Sequence, residues 1–435
     1  MKNTHDRRDF LKSTAMIAGA TAITTAPLGV FASNDDTIKI ALVGCGGRGT
    51  GAAVQALSTN QNVKIVALAD AFKNRLDECY NILANRFKDK VDIPEANRFV
   101  GFDAYKKAIP LADVILLVTP PGFRPAHFAE AVKHNKHVFL EKPVAVDAPG
   151  IRQVLETAKE AKRKKLNVVV GLQRRYQNNY RQTIQQLQNG AIGKIHSGQV
   201  YWNSGGVWVN PRKEGETEME YQMRNWYYFN WLCGDHIVEQ HVHQLDVANW
   251  VIGGHPVAVQ GTGSRAWRTG KDYGEIYDNH AVEFTYANGE VIYSQCRHFE
   301  GTSNRVDETF QGTGGKVYLS ASNTGILWDA NGKEIFRHQG KGDPNPYQTE
   351  HDELFAAIAK GEYKFEDAEY GAISTFTGII GRMATYSGQV LKWDEALASN
   401  INLMPDTLNW DALPKVLPDA NGLYPVAQPG RTTVI

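Results

Sequence analysis

The stretch from Ile38 to Gly51, IKIALVGCGGRGTG, restricts the fold more than any other part of the chain. Ile38, Ile40, Ala41, Leu42 and Val43 form an apolar, β-branched run suited to a strand buried on both faces of a parallel sheet. Gly44, Gly46 and Gly49 follow in G-x-G-x-x-G spacing. The first glycine turns tightly, the second lets backbone approach a pyrophosphate, and the third permits close packing of the next helix, expected over 52–57. That helix presents free N–H groups and its positive dipole end to the anion. Gly44, Gly46, Gly47, Arg48 and Gly49 are therefore assigned to cofactor binding.

The context strengthens this reading. A second apolar run, Val63 to Ala69, ends at Asp70, at the distance where a carboxylate accepts hydrogen bonds from the ribose hydroxyls. Its charge repels a 2′-phosphate, which favours NAD over NADP, although Lys73 and Arg75 lie close enough to soften the preference. Further buried strands are expected at Asp113–Val118, Val138–Leu140 and Val168–Val170, separated by helices at 74–87, 126–134 and 148–165. Such alternation predicts a doubly wound sheet. Thr119, Pro120 and Pro121 break the third strand at the carboxyl edge, where cofactors sit in these sheets.

At 435 residues the chain has room for two domains of ordinary size. The 47 basic and 47 acidic residues balance, and no basic tract or zinc-type cysteine pair is present, so nucleic acid is not an expected partner. Residues 1–32 read as a cleaved export signal: Arg7 and Arg8 precede Phe10-Leu11-Lys12, then a mildly apolar stretch ends at small residues near Ala32. The paired arginines resemble the twin-arginine class, which carries folded proteins and implies a periplasmic location. A membrane anchor is the weaker alternative, because the stretch is barely long enough to span a bilayer. Cys45, Cys79, Cys233 and Cys296 are scattered without metal-ligand spacing. Isolated buried thiols are expected, and a disulfide is an option outside the cytoplasm.

From Ile195 onward, alternating strands with turn signals replace the strand-helix rhythm. Ala287-Asn288-Gly289 marks a hairpin, and an open antiparallel sheet is the natural outcome. Between Trp202 and Trp231 lies an aromatic segment whose rings either stack on a sugar or pack as core or interface. Glu239, His243 and Asp246 share one face of an expected helix, whose other positions, Val242, Leu245, Val247, Trp250 and Val251, are apolar. A lone histidine there would satisfy a backbone carbonyl, but a polar triplet on a buried helix calls for a reason. The layout is a signal (1–32), a Rossmann domain (33–170), a second domain (171–400) and a wrapping tail (401–435).

Glu141-Lys142-Pro143 after the last-but-one strand, together with Thr119-Pro120-Pro121, His127 and Gln173-Arg174-Arg175, resembles the glucose-fructose oxidoreductase / inositol dehydrogenase / rhizopine catabolism family. The acidic residue, histidine four later, aspartate three after that and W-x-x-G end of that family match Glu239, His243, Asp246 and Trp250–Gly253. Glu239 stands where Asp is usual and His241 where a small residue is common. The resemblance implies an α/β Rossmann domain plus an α+β domain with a large open, mainly antiparallel sheet, and an open sheet face suggests self-association into a homo-oligomer. It also implies cofactor contacts at Thr119, Pro120, His127, Glu141 and Gln173, catalytic roles for Lys142, His243 and Glu239, and substrate contacts at Asp246, His241, Arg174 and Tyr176. A cis peptide before Pro143 is a further expectation.

The function expected from this resemblance is dehydrogenation of a secondary hydroxyl on a sugar, glycoside or polyol, with tightly held NAD; oxidation of a glucoside at a ring hydroxyl is the leading case. The alternative is an NAD-dependent glycosidase working by transient oxidation, elimination and reduction. A non-enzymatic scaffold fits poorly with a retained lysine and histidine.

Overall fold

The computed structural model describes residues 37–435, so the expected export signal lies outside the described residues. Strands β1 (Ile38–Val43), β2 (Val63–Asp70), β3 (Arg98–Val100), β4 (Val114–Leu117), β5 (His137–Leu140) and β6 (Val168–Val170) form one sheet in the order β3-β2-β1-β4-β5-β6. Every pairing is parallel. Helices α1 (Gly47–Leu57), α2 (Lys73–Arg86), α3 (Ala104–Ala108), α4 (Arg124–Lys133) and α5 (Ala148–Arg163) connect the strands. The order reverses beside β1, which opens a crevice at the carboxyl ends of β1 and β4. Helix α1 starts five residues earlier than the sequence suggests, because Arg48 and the glycines themselves adopt helical backbone.

The second unit begins with α6 (Asn178–Gln188) and β7 (Ile195–Ser204), followed by α7 (Glu218–Arg224), α8 (Asn230–Cys233), α9 (His236–Glu239) and α10 (Val242–Ile252). Strands β8 (Pro256–Ser264), β9 (Asn279–Tyr286), β10 (Val291–His298), β11 (Arg305–Gly312), β12 (Gly315–Ser320), β13 (Thr324–Asp329) and β14 (Glu334–Arg337) come next, then helices α11 (Pro346–Ala359) and α12 (Ala368–Ser387), the short β15 (Leu391–Lys392) and α13 (Trp393–Leu397). The strands form a nine-stranded sheet in which only β7 and β10 run parallel. The expected hairpin joins β9 to β10, with Gly289 at φ +88° supplying the left-handed turn residue. Along β9, His280, Val282, Phe284 and Tyr286 are buried, whereas the alternate residues are partly exposed, as a one-faced sheet requires.

Helix α12 ties the two units together. A Cβ at Gly371 would meet the Val170 side chain at 2.9 Å, and one at Gly381 would meet Ile237 at 3.0 Å and Phe284 at 3.1 Å. The glycines thus let one helix lie against the parallel sheet at one end and the antiparallel sheet at the other. Among the described residues no helix is long and apolar enough to cross a membrane, and all four cysteines are buried and unpaired.

Candidate active site

The phosphate cradle follows from backbone geometry. Gly44 sits at φ +100°, and a Cβ there would meet the Thr119 amide nitrogen at 2.5 Å, so β1 and the turn after β4 approach too closely for a side chain. Gly49 allows no Cβ either, because it would fall 1.8 Å from the Gly44 carbonyl oxygen. In contrast, a Cβ on Gly46 or Gly47 would meet nothing within 4 Å. An open, side-chain-free surface at the N-terminus of α1 fits the pyrophosphate of a dinucleotide. Asp70 ends β2 and accepts the Cys45 N–H at 2.6 Å and the Phe72 N–H at 2.8 Å, which clamps the glycine turn to the second strand. Each carboxylate oxygen keeps a further lone pair for a ribose hydroxyl.

The remaining predicted cofactor residues split into two groups. Arg48 projects from α1 to pair with Glu141, and it also reaches Gln55 at 2.9 Å and Glu350 at 3.3 Å. Glu141 additionally accepts its neighbour Lys142's N–H at 2.8 Å. Burial raises the Glu141 pKa, but the charges of Arg48, Lys142 and Arg124 outweigh this and hold it below the usual carboxylate range. Gln173 is buried with its Oε1 lacking a protein partner. His127 lies behind the turn that follows β4, next to Thr119. Its ring lies 4.1 Å from that of Tyr105 and stacks on Phe123, its Nδ1 is 3.2 Å from Thr119 Oγ1, and burial followed by the Arg124 charge pushes its pKa down to about 3. It is a neutral ring packed between two aromatics and held next to Thr119. Arg124 braces the same turn, donating to the Thr119 carbonyl at 2.6 Å and to the Pro143 carbonyl.

Beyond β5, the Lys142–Pro143 peptide is cis. Lys142 Nζ donates to the Glu239 carbonyl at 2.6 Å and to Glu239 Oε1 at 2.9 Å, so the two units meet at this ion pair. Both side chains stay slightly open, 15% and 13% exposed, while the groups behind them are closed off. Glu239 and His243 do not share one helix as expected. Helix α9 ends at Glu239, Gln240 and His241 form a break, and α10 starts at Val242. His243 nonetheless lies near the lysine: burial first, then the Lys142 charge, then Arg174, hold its imidazole well below its ordinary pKa. It is neutral, stacks on Trp202 at 6.0 Å, and its Nδ1 has no partner in the protein. At neutral pH the imidazole is therefore unprotonated and close to the Lys142 ammonium group.

The residues expected to contact substrate are each engaged by partners within the protein. Asp246 takes a bidentate ion pair from Arg175, at 2.8–3.2 Å, and a hydrogen bond from Ser374 Oγ at 2.7 Å. Tyr176 donates its hydroxyl to Asp367 at 2.7 Å. Arg174 is paired with buried Glu308, and His241 Nε2 lies 2.7 Å from Ser294 Oγ. Burial forces the choice, since a polar atom shut away from water needs a fixed protein partner. The aromatic segment is mainly core: Trp208 meets Trp226, Tyr227 and Tyr228 edge-on or tilted.

Sequence reasoning missed the residues that align the two halves. Thr375 on α12 accepts the Val144 N–H at 3.2 Å next to the lysine loop, while Ser374 holds Asp246 and Thr377 accepts from Asn249 on α10 at 2.9 Å. One helix therefore fixes both the loop carrying Lys142 and the helix carrying His243. Glu350, 302 positions from Arg48, carries no local signal of its role. Away from this site, Asp235, His236 and His280 gather in the core, where Asp235 Oδ1 is 2.8 Å from His236 Nδ1 and 3.2 Å from His280 Nε2.

The comparisons agree with this geometry. The model for the oxidoreductase family with an NAD-binding Rossmann fold matches residues 38–171, and that for the GFO/IDH/MocA C-terminal domain matches 180–318. An inositol 2-dehydrogenase of Rhizobium meliloti (strain 1021) is 24% identical over 275 residues, 62% of this chain and 72% of that protein. A glycosyl hydrolase family 109 protein of Porphyromonas gingivalis is 30% identical over 131 residues, 29% of this chain and 27% of that one. An uncharacterized oxidoreductase of Streptococcus pneumoniae serotype 4, 23% identical, is likewise matched over less than two thirds of its length, 65%. A solved levoglucosan dehydrogenase, in complex with NADH and levoglucosan, superposes with a TM-score of 0.63 at 17% identity over 82% of this chain and 99% of that one, a likeness of fold. Matched by both domain models and built around a glycine cradle and a lysine–glutamate pair, the chain belongs to the Gfo/Idh/MocA oxidoreductase family and carries its NAD-binding Rossmann domain.

Proposed function

We propose that this enzyme oxidises a secondary hydroxyl of a sugar, glycoside or polyol, with a ring hydroxyl of a glucoside as the leading substrate. The observation that carries the reading is the Lys142–Glu239 pair beside the neutral His243. When bound, a nicotinamide supplies the acceptor for the two electrons leaving carbon. His243 takes the hydroxyl proton, while Lys142 donates a hydrogen bond to the oxygen and stabilises its developing negative charge. Glu239 orients the ammonium group. We further propose NAD rather than NADP, because the Asp70 carboxylate repels a 2′-phosphate at the end of β2. Export through a twin-arginine-type signal into the periplasm completes the proposal, together with self-association through the open face of the nine-stranded sheet.

Export motivates a tightly held cofactor, since a released one finds no dinucleotide pool outside the cytoplasm. Mass spectrometry of natively purified protein tests this: co-purifying NAD supports the reading, and a protein that binds neither NAD nor NADP overturns it. The likeness to a glycosyl hydrolase family 109 protein favours a second reading, in which oxidation is transient and a glycosidic bond is eliminated. Aryl glycosides in deuterated water separate the two. A ketosugar without solvent deuterium supports net dehydrogenation, whereas a released aglycone and a deuterated sugar support elimination.

A further inference from the structure

The tail beyond α13 lies outside both family-model matches, yet it packs onto functional loops. Trp410 places its ring 5.0 Å from Phe72 and 4.6 Å from Phe102. Phe72 is two residues beyond Asp70 at the end of β2, and Phe102 is two residues beyond the end of β3. Met404 lies over the turn after β4, where a Cβ on Gly122 would sit 2.9 Å from its sulfur. The tail therefore touches the carboxyl-end loops of β2, β3 and β4, with its aromatic contacts beside β2, where Asp70 would meet the adenosine ribose.

Both flanks of this contact are anchored. Leu403 N–H donates to Asp147 Oδ2 at 2.8 Å at the start of α5. On the other flank, Thr217 at the N-cap of α7 donates to the Trp410 carbonyl at 3.0 Å, Gln222 donates to the Val416 carbonyl at 2.8 Å, and Arg212 donates to the Tyr424 hydroxyl at 2.9 Å. A segment fixed to both units, with an indole wedged between Phe72 and Phe102, limits how far the β2 and β3 loops can move away from the second unit.

Resting on the NAD reading above, we propose that residues 403–424 form a strap that retains the dinucleotide, with Trp410 as the positioning residue that holds the loops around the adenosine half closed. The strap does not touch Lys142 or His243 in the chemical step. It slows nucleotide release, as an enzyme that recycles one bound cofactor requires. An aromatic pair is worth up to about ten-fold in an equilibrium, so loss of the indole is expected to speed release about ten-fold or more.

The test uses the full chain as parent, Trp410→Ala, Trp410→Phe and Phe102→Leu. Nucleotide content after native purification is measured by mass spectrometry, and release is followed by chasing bound NADH with excess NAD while recording nicotinamide fluorescence. The expected result is about ten-fold faster release in Trp410→Ala and faster release in Phe102→Leu. Trp410→Phe should stay close to the parent because it keeps an aromatic ring against Phe72 and Phe102. Release at the parent rate from both Trp410→Ala and Phe102→Leu overturns the strap and leaves the NAD reading intact. A parent that binds no dinucleotide overturns both. If Trp410→Ala fails to fold, Phe102→Leu decides by the same release rate.

Discussion

Replacing Lys142 with methionine keeps a long unbranched side chain, one atom shorter, and removes its charge, which makes it the most informative single change. Two consequences follow from the geometry. First, the substrate oxygen loses the donor that stabilises its developing charge. Removing one such preorganised donor costs about 10²–10³ in rate, or ~3–4 kcal/mol of transition-state stabilisation. Second, His243 loses the Lys142 charge, which after burial is the largest cause of its lowered pKa. Its folded-state pKa then rises, and protonation disables the base at higher pH than before. The acidic limb of kcat/KM therefore moves toward neutral pH. A panel of inositols, free sugars and aryl glucosides identifies a turnover substrate for the parent, and nicotinamide absorbance under single-turnover conditions gives the rate. A Lys142→Met enzyme that reduces bound NAD at the parent rate would refute the assignment of Lys142. A large rate loss with an unmoved acidic limb would instead refute His243 as the base beside it.

Gly49→Ala forces a methyl group onto the Gly44 carbonyl, 1.8 Å from its ideal Cβ position. It should lose nucleotide binding and destabilise the fold by ~1–3 kcal/mol, read by calorimetry of NAD binding and by urea unfolding. Asp246→Asn leaves the Arg175 guanidinium without its counter-charge next to α12; a loss of ~3–5 kcal/mol in urea unfolding is expected, and an unchanged midpoint would contradict the buried-pair assignment. Burial pushes the Glu275 pKa up to about 7 from an ordinary 4.5, so the folded state binds this proton more tightly than the unfolded chain. Its contribution is present below pH 4.5 and is lost as pH rises to about 7, up to ~3 kcal/mol, and Glu275→Gln should flatten that part of the stability–pH profile.

Local chemistry made the nucleotide half legible. A β-branched run followed by glycines at fixed spacing has few other ways to fold, because only glycine permits the positive φ of Gly44 and the absent Cβ of Gly49. The glutamate–lysine pair at 141–142 and the histidine at 243 stood out by motif. Glu239, the partner of Lys142, stood out as well, whereas the groups that hold the rest of the site in place did not. Nothing in the neighbourhood of Asp246 reveals that Arg175, 71 residues earlier, clamps both its oxygens. The aromatic packing of His127 by Tyr105 and Phe123 is likewise invisible before the loops fold together.

The sequence by itself determined the parallel sheet, its crevice and the candidate reactive side chains, since strand periodicity, glycine sterics and side-chain chemistry are local properties. Only the tertiary structure decided which polar groups remain available. Burial obliges each enclosed donor and acceptor to find a partner, and those partners lie tens to hundreds of residues away, as Glu350 does for Arg48 and α12 does for both halves of the site.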